Sequence, residues 1–190
     1  QEITVKFFRN LPQYDYKVII FRVHSGLLLT MVHAQVVPLE TTYLFTGETY
    51  STTKYTSEQL SDRVSNAMMT TEYPLVFAIN SEFIAKDMKG NFNNAAILMM
   101  GCESLYHDDM AEAFAERGAS VYAGWSDVVS LDYIDETTLD IVSNLFTENL
   151  TVGKSVGKTM ADLGYDPFFH AYLKYHPAQS SDKTISELIE

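Results

Sequence analysis

Two side chains in this sequence carry the means for covalent chemistry at the kind of place where chemistry is done. His24 closes an apolar, β-branched run, Lys17-Val-Ile-Ile-Phe-Arg-Val23, and Cys102, the only cysteine, follows Ala95-Ala-Ile-Leu-Met-Met100 across Gly101. In open α/β sheets, reacting groups gather at the carboxyl ends of strands, and neighbouring strands lie about 4.8 Å apart. If these two runs are adjacent strands, an imidazole and a thiol face each other across one sheet edge. A histidine that near lowers the thiol pKa and supplies the thiolate that nucleophilic catalysis requires. The competing reading of a lone cysteine after an apolar strand is a small buried hydrophobe. What favours chemistry is the pairing: each residue follows an apolar strand and precedes a turn.

Other residues imitate sites. Gly153-Lys-Ser-Val-Gly157-Lys158-Thr159 resembles a phosphate-binding loop, but that motif needs four residues between its glycines and a preceding strand. Here there are three, after a helix, so the segment reads as a helix start with lysines facing solvent. His107, Asp108 and Asp109 are adjacent and cannot converge easily on one ion, so a helix N-terminal acid cluster is the simpler account. His107 is a weaker rival to His24 as a base. His33, His170 and His176 carry no pattern, and Asn149-Leu-Thr151 is a common chance sequon.

The elements that must position His24 and Cys102 alternate between strand and helix patterns. Thr42–Thr46 reads as a short strand, paired as a hairpin with the run around Met31 to Val37. Ser57 reads as an N-cap for a helix that places Leu60, Val64, Ala67 and Met68 on one face. Leu75–Ile79 is a strand, and the continuous run Ala95–Met100 is a strand covered on both faces. A helix from Asp109 to Arg117 stops at Gly118, and Ala119–Gly124 is the next strand. Asp135–Leu150 is a long helix with Leu139, Val142, Leu145 and Phe146 at helical spacing, and Thr151–Leu163 is another. The N-terminal Ile3–Phe8 reads as a strand running into a brief helix near Arg9–Leu11. The pattern predicts an α/β class fold with a mostly parallel central sheet.

Composition bounds what such a fold could do. The 190 residues, 46% hydrophobic and 20% charged, suffice for one domain with a real core and no staples. One cysteine excludes a disulfide scaffold. A net charge of −12, with the 13 basic residues scattered singly, argues against nucleic acid as a partner. The longest uncharged stretch, Val23–Leu39, contains His24, His33, Gln35 and Pro38 and is no membrane span. No basic-then-apolar leader pattern is present.

The residues also resemble a family. Val-Ile-Ile-Phe-Arg-Val-His24-Ser-Gly26 is similar to the strand-then-His-Gly element of caspase-like cysteine peptidases, and Ala-Ile-Leu-Met-Met-Gly-Cys102-Glu-Ser to their strand-then-Cys element. Met110–Ala119, Val121–Trp125 and the Gly-Lys-Ser-Val segment are similar to the region after the cysteine in gingipain, clostripain and separase relatives. The resemblance covers roughly Val18 to Ala161. It implies a three-layer α/β/α sandwich and a cysteine endopeptidase acting on protein or peptide substrates through a thioester acyl-enzyme. Cys102 is then the nucleophile and His24 the proton-transfer partner, with no metal and no cofactor. Backbone N–H groups of Cys102 and of the Ser25–Gly26 turn would form the oxyanion hole. The segment holding Trp125 and Asp127 would line the specificity pocket, where an acid selects Arg or Lys. The competing readings are a solvated loop acid for Asp127 and a core residue for Trp125. The family usually has Gly directly after the histidine, where this chain has Ser25. That departure bears on activity and favours the alternative, a catalytically silent domain of the same fold acting as a protein-binding or scaffold module. A nucleotide-binding domain, the third class weighed, has no proper glycine loop behind it.

The resemblance sets the domain at residues 1–176, with 177–190 as a C-terminal tail. Caspase-like domains usually begin one strand and one helix earlier, and only Ile3–Phe8 lies ahead of Lys17. The expectation is therefore that Gln1 is internal to a longer polypeptide and that a companion segment or a second copy completes the sheet, because unpaired backbone and apolar edges are avoided.

Overall fold

A computed structural model of the chain describes residues 2–32 and 35–190, with side-chain burial described outside residues 30–39. Two sheets organise it. The first has the order β1-β6-β7-β8 and is built from β1 (Val18–Phe21), β6 (Ala95–Met99), β7 (Ala119–Trp125) and β8 (Leu173–His176). β1 and β7 both run parallel to β6, and β8 is antiparallel to β7. The second, order β2-β3-β5-β4, is antiparallel throughout and comprises β2 (Ser25–Val32), β3 (Gln35–Thr49), β4 (Val64–Ala67) and β5 (Val76–Asn80). The expected mostly parallel sheet is there, and this separate antiparallel sheet lies outside the expectation.

The helices are α1 (Val5–Asn10), α2 (Thr56–Leu60), α3 (Ser81–Asp87), α4 (Asp109–Glu116), α5 (Leu131–Val142), α6 (Val152–Leu163) and α7 (Ile185–Ile189). Alternation along β6 divides the core in two. Ala95, Ile97 and Met99 pack with Phe8, Phe83, Ile84, Met110 and Phe114, and with Leu44, Phe77 and Ile79 of the antiparallel sheet. Ala96 and Leu98 point the other way, toward Trp125, Ile134, Ile141, Val156, Ile185 and Leu188. Apolar residues on both faces are why this strand reads as a continuous run rather than an alternating one.

Several expectations are corrected. Ile3–Phe8 is no strand: Thr4 accepts the Phe7 N–H as an N-cap, and Val5 and Phe8, three apart on one helical face, are both fully buried. The helix starting near Ser57 ends at Leu60, because Asp62 is left-handed (φ 57°) and Val64–Ala67 pairs with β5 instead. Leu60, expected on the buried face, is 88% exposed. α5 begins four residues earlier than expected and buries Tyr133, Ile134, Thr137 and Ile141, leaving Leu139 at 75% exposure. Residues 177–190 are no tail, since Ile185 and Leu188 enter the core and Thr184 bridges Thr151. Thr42–Leu44 pair with Ser25–Leu27 of β2 and not with the expected run around Met31 to Val37, in which Met31 pairs with Val36; His33 lies outside the described residues. Among the described residues no helix is long and apolar enough to cross a membrane.

β1 is an edge strand. Ala96 N–H donates to the Lys17 carbonyl and Met100 N–H to that of Phe21, so the odd-numbered residues of β1 face β6. By alternation Val18 and Ile20 direct their backbone N–H and C=O groups outward. Ile20 is 46% exposed between a groove lined by Ile3, Phe7, Leu11 and Tyr16 and another lined by Met100, Thr138 and Leu139.

Candidate active site

His24 and Cys102 are brought together by strand register. Phe21 of β1 pairs with Met99 of β6, and His24 and Cys102 each stand three residues beyond that pair. Both line one cleft of about 90 Å³, with Arg22, Val23, Met100, Gly101, Leu131 and Ile134. That is room for several waters, enough for a reacting carbonyl and below the several hundred Å³ of a site that encloses a small-molecule ligand.

The two chain turns that form the cleft touch closely. A Cβ on Gly101 would come within 2.5 Å of the Val23 carbonyl oxygen and nearer still to Ser25 Oγ, so only glycine fits there. Ser25 Oγ donates to the Cys102 carbonyl at 2.5 Å. In return the Leu27 N–H donates to Glu103 Oε2 at 3.2 Å. On its other side the cysteine turn is held by β7 and the segment after it: Glu103 N–H donates to the Asp127 carbonyl (2.9 Å) and Leu105 N–H to that of Trp125 (2.8 Å).

Ladder alternation decides which amides face the cleft. Phe45 N–H donates to the His24 carbonyl, which makes His24 and Phe45 a hydrogen-bonded pair, and Gly26 with Tyr43 the next one. Gly26 N–H is thereby directed into the sheet, while the amides of Ser25 and Leu27 point away from β3. The Leu27 bond to Glu103 agrees with this. The expected oxyanion donors are the Cys102 amide with one amide from the Ser25–Gly26 turn; of these two turn residues Ser25 has the amide that points away from β3, and Gly26 is corrected to a ladder residue. The Ser25 hydroxyl, buried, reaches the main-chain carbonyl of Cys102.

The side chains themselves are not engaged. His24 is exposed, its ring centroid 6.3 Å from that of Phe45. The half-buried Cys102 thiol donates to the Val129 carbonyl at 3.6 Å, and no hydrogen bond to His24 is present among the described residues. Burial pushes the thiol above its ordinary pKa, and the charges of Glu103 and Asp166 push the same way. The expected lowering by a neighbouring imidazole is absent from this arrangement. Val129 is fixed in turn by its neighbour: Ser130 N–H and Oγ both donate to Asp166, at 2.9 and 2.5 Å.

Trp125 and Asp127 do not line the cleft. Trp125 is fully buried, 5.6 Å from the Tyr133 ring, in the same core as the cleft residues Met100 and Ile134. It lies beneath the site because its strand position points it toward α5. Asp127 Oδ1 accepts its own neighbour's amide, Val128 N–H, at 2.7 Å, and its charge, together with burial, raises the pKa of Glu103. Glu103 is the site residue that sequence reasoning missed: its partner Leu27 is 76 positions away, and adjacency to Cys102 was the one signal available. Of the imitated sites, Asp109 accepts Thr42 N–H and Oγ1 (3.0 and 2.9 Å), tying α4 to β3. Gly153–Thr159 lies inside α6, where Lys158 pairs with Asp162. Among the described residues no group of three or more His, Cys, Asp or Glu side chains is placed to hold a metal ion. No family model, curated protein or solved structure matches the chain.

Proposed function

We propose that the chain is a cysteine endopeptidase on a caspase-like, three-layer α/β/α scaffold. The observation that carries the reading is the shared register of β1 and β6, which puts His24 and Cys102 at equal distances past paired residues and on one cleft. In the reaction His24 takes the thiol proton while Sγ attacks the scissile carbonyl carbon, and the negative charge moves to the carbonyl oxygen. Ser25 N–H and Cys102 N–H receive that charge, each worth about 3 kcal/mol of barrier. Collapse of the intermediate expels the amine, which leaves with the proton from His24, and water then hydrolyses the thioester through the same imidazole. Asp127 and Glu103 make the side of the site beyond the cysteine turn acidic, which supports a preference for Arg or Lys before the scissile bond.

The test is peptide hydrolysis with alkylation of Cys102 by iodoacetamide alongside. Cys102→Ala should abolish turnover, and His24→Ala should abolish turnover and slow alkylation near neutral pH. Asp127→Ala should erase an Arg or Lys preference while leaving alkylation unchanged. Equal alkylation rates with and without His24 would remove the dyad.

A second reading, a silent domain of the same scaffold that binds protein, is favoured by the thiol's seat on Val129 and its upward pKa. It expects alkylation only under denaturing conditions. In either reading the outward groups of β1 and the exposed Ile20 support completion of the sheet by a companion segment or a second copy.

A further inference from the structure

The two turns of the site are tied by a reciprocal pair of hydrogen bonds. A side chain from the histidine turn, Ser25, reaches the cysteine's carbonyl, and a side chain from the cysteine turn, Glu103, reaches the Leu27 amide. Neither bond belongs to a sheet ladder. Between them sits Ser25 N–H, whose place relative to Cys102 depends on where the start of β2 is held. β2 is an edge strand of its sheet, so on its outer side nothing else in the ladder holds it. Glu103 Oε2 lies close over this turn, 3.4 Å from where a Cβ on Gly26 would stand, which is ordinary contact distance.

We propose that Glu103 is a positioning residue: its carboxylate draws the first residues of β2 onto the cysteine turn and so sets Ser25 N–H where the oxyanion forms. The proposal rests on the peptidase reading and adds to it a residue that contacts neither the nucleophile's sulfur nor the imidazole. A carboxylate is a stronger acceptor than a neutral group, so the tie depends on ionisation. Glu103 is half-buried and faces Asp127 from the segment after β7, His107 from its own turn and the Cys102 thiol beside it. Burial first, and Asp127 second, raise its pKa, while the Leu27 amide and His107 act in the opposite direction. Protonation of Glu103 on acidification should loosen β2 and lower turnover.

Three measurements on the whole chain test this: steady-state peptide hydrolysis against pH, iodoacetamide alkylation of Cys102, and amide hydrogen exchange at Leu27. Losing a hydrogen bond to a charged group corresponds to roughly a ten- to hundredfold effect. Glu103→Ala should therefore lower kcat by that factor with KM within about twofold, leave alkylation no slower than wild type because a like charge beside the thiol is removed, and expose Leu27 to exchange. Glu103→Gln, which keeps a neutral acceptor but cannot ionise, should turn over at about the level wild type reaches with Glu103 protonated, between wild type and Glu103→Ala, and lose Glu103's share of the acid limb. Wild-type kcat in Glu103→Ala, or an unchanged acid limb in Glu103→Gln, overturns the proposal. If Glu103→Ala fails to fold, the acid limb of Glu103→Gln decides alone. A wild-type protein that hydrolyses no peptide overturns the peptidase reading and the positioning role with it. Exchange at Leu27 then separates the two failures by reporting whether the tie itself exists.

Discussion

The contact between the two site turns makes Gly101 the position where the smallest addition should do the most damage. A methyl group there would stand 2.5 Å from the Val23 carbonyl oxygen, where ordinary contact begins at 3.4 Å. Val23 O is main chain and cannot rotate aside, so β1 and β6 must part at their carboxyl ends by about an ångström, and overpacking of this kind costs about 1–3 kcal/mol. In a chain of this size each kcal/mol moves the melting temperature by roughly 2–4 °C, so Gly101→Ala should melt about 2–12 °C below wild type. Gly157 is the built-in comparison. It lies inside α6 with nothing within 4 Å of the new Cβ, and replacing glycine by alanine within a helix gains about 0.5–1 kcal/mol. Gly157→Ala should therefore melt about 1–4 °C higher. Ser25→Gly should rescue Gly101→Ala only in part, because it removes the hydroxyl but leaves the Val23 carbonyl. Thermal unfolding followed by circular dichroism measures all four proteins. A Gly101→Ala protein melting within a degree of wild type, or full rescue by Ser25→Gly, would refute the close approach of the two turns.

Asp166 is fully buried and accepts four hydrogen bonds, two from Ser130 and one each from the amides of Phe168 and Phe169. Burial alone would raise its pKa, but these donors outweigh it and hold it below the ordinary value. Its contribution is therefore complete above the unfolded value of about 3.9 and fades as pH falls through the folded one. Asp166→Asn should lose about 1.5–3 kcal/mol at pH 7 and converge on wild type near pH 2, as urea unfolding at the two pH values would show; a constant difference counts against the assignment. If a second copy completes the first sheet along β1, native mass spectrometry should find twice the chain mass, and Ile20→Lys should return the monomer. A folded wild-type monomer at all concentrations, with no companion in the spectrum, counts against completion of the sheet by another chain.

What could be read from the sequence follows from how local the causes are. β6 declares itself by six consecutive apolar residues, and its two neighbours in the parallel sheet by shorter runs, because burial on both faces needs no partner to be visible. β4 is hidden by coincidence: Leu60, Val64, Ala67 and Met68 satisfy helical spacing, and only the pairing of Val64–Ala67 with β5 overrides it. The N-terminal helix hid for a related reason, since Ile3 to Phe8 has strand composition and its helix depends on the Thr4 cap and a core supplied by α3 and β5. His24 and Cys102 were legible through their types and strand ends. Glu103 and Asp166 were not, because a carboxylate reveals its work only through partners, 76 and 36 positions away in these two cases.

The backbone and the side chains of this site stand in different states. The main-chain frame is heavily tied: Ser25 to Cys102, Leu27 to Glu103, Glu103 to Asp127 and Leu105 to Trp125 all fix the cysteine turn between its two neighbours. The thiol is held by one weak donor bond, 3.6 Å long, to the Val129 carbonyl. Breaking that bond costs less than losing one ordinary hydrogen bond, about 1 kcal/mol, whereas moving the frame means breaking several. On the proposed peptidase reading, the step that separates a silent domain from a working enzyme would be a thiol rotation with deprotonation, with the main-chain frame unchanged. Burial opposes the thiolate, and Glu103 and Asp166 add like charge, so a rotated sulfur gains only if it meets a cation. His24, exposed and lining the cleft, is the base there that can take the thiol's proton without giving up a salt bridge among the described residues. Arg22, the permanently charged cation on the same cleft, is committed to Asp135 through two hydrogen bonds of 2.7 and 2.9 Å.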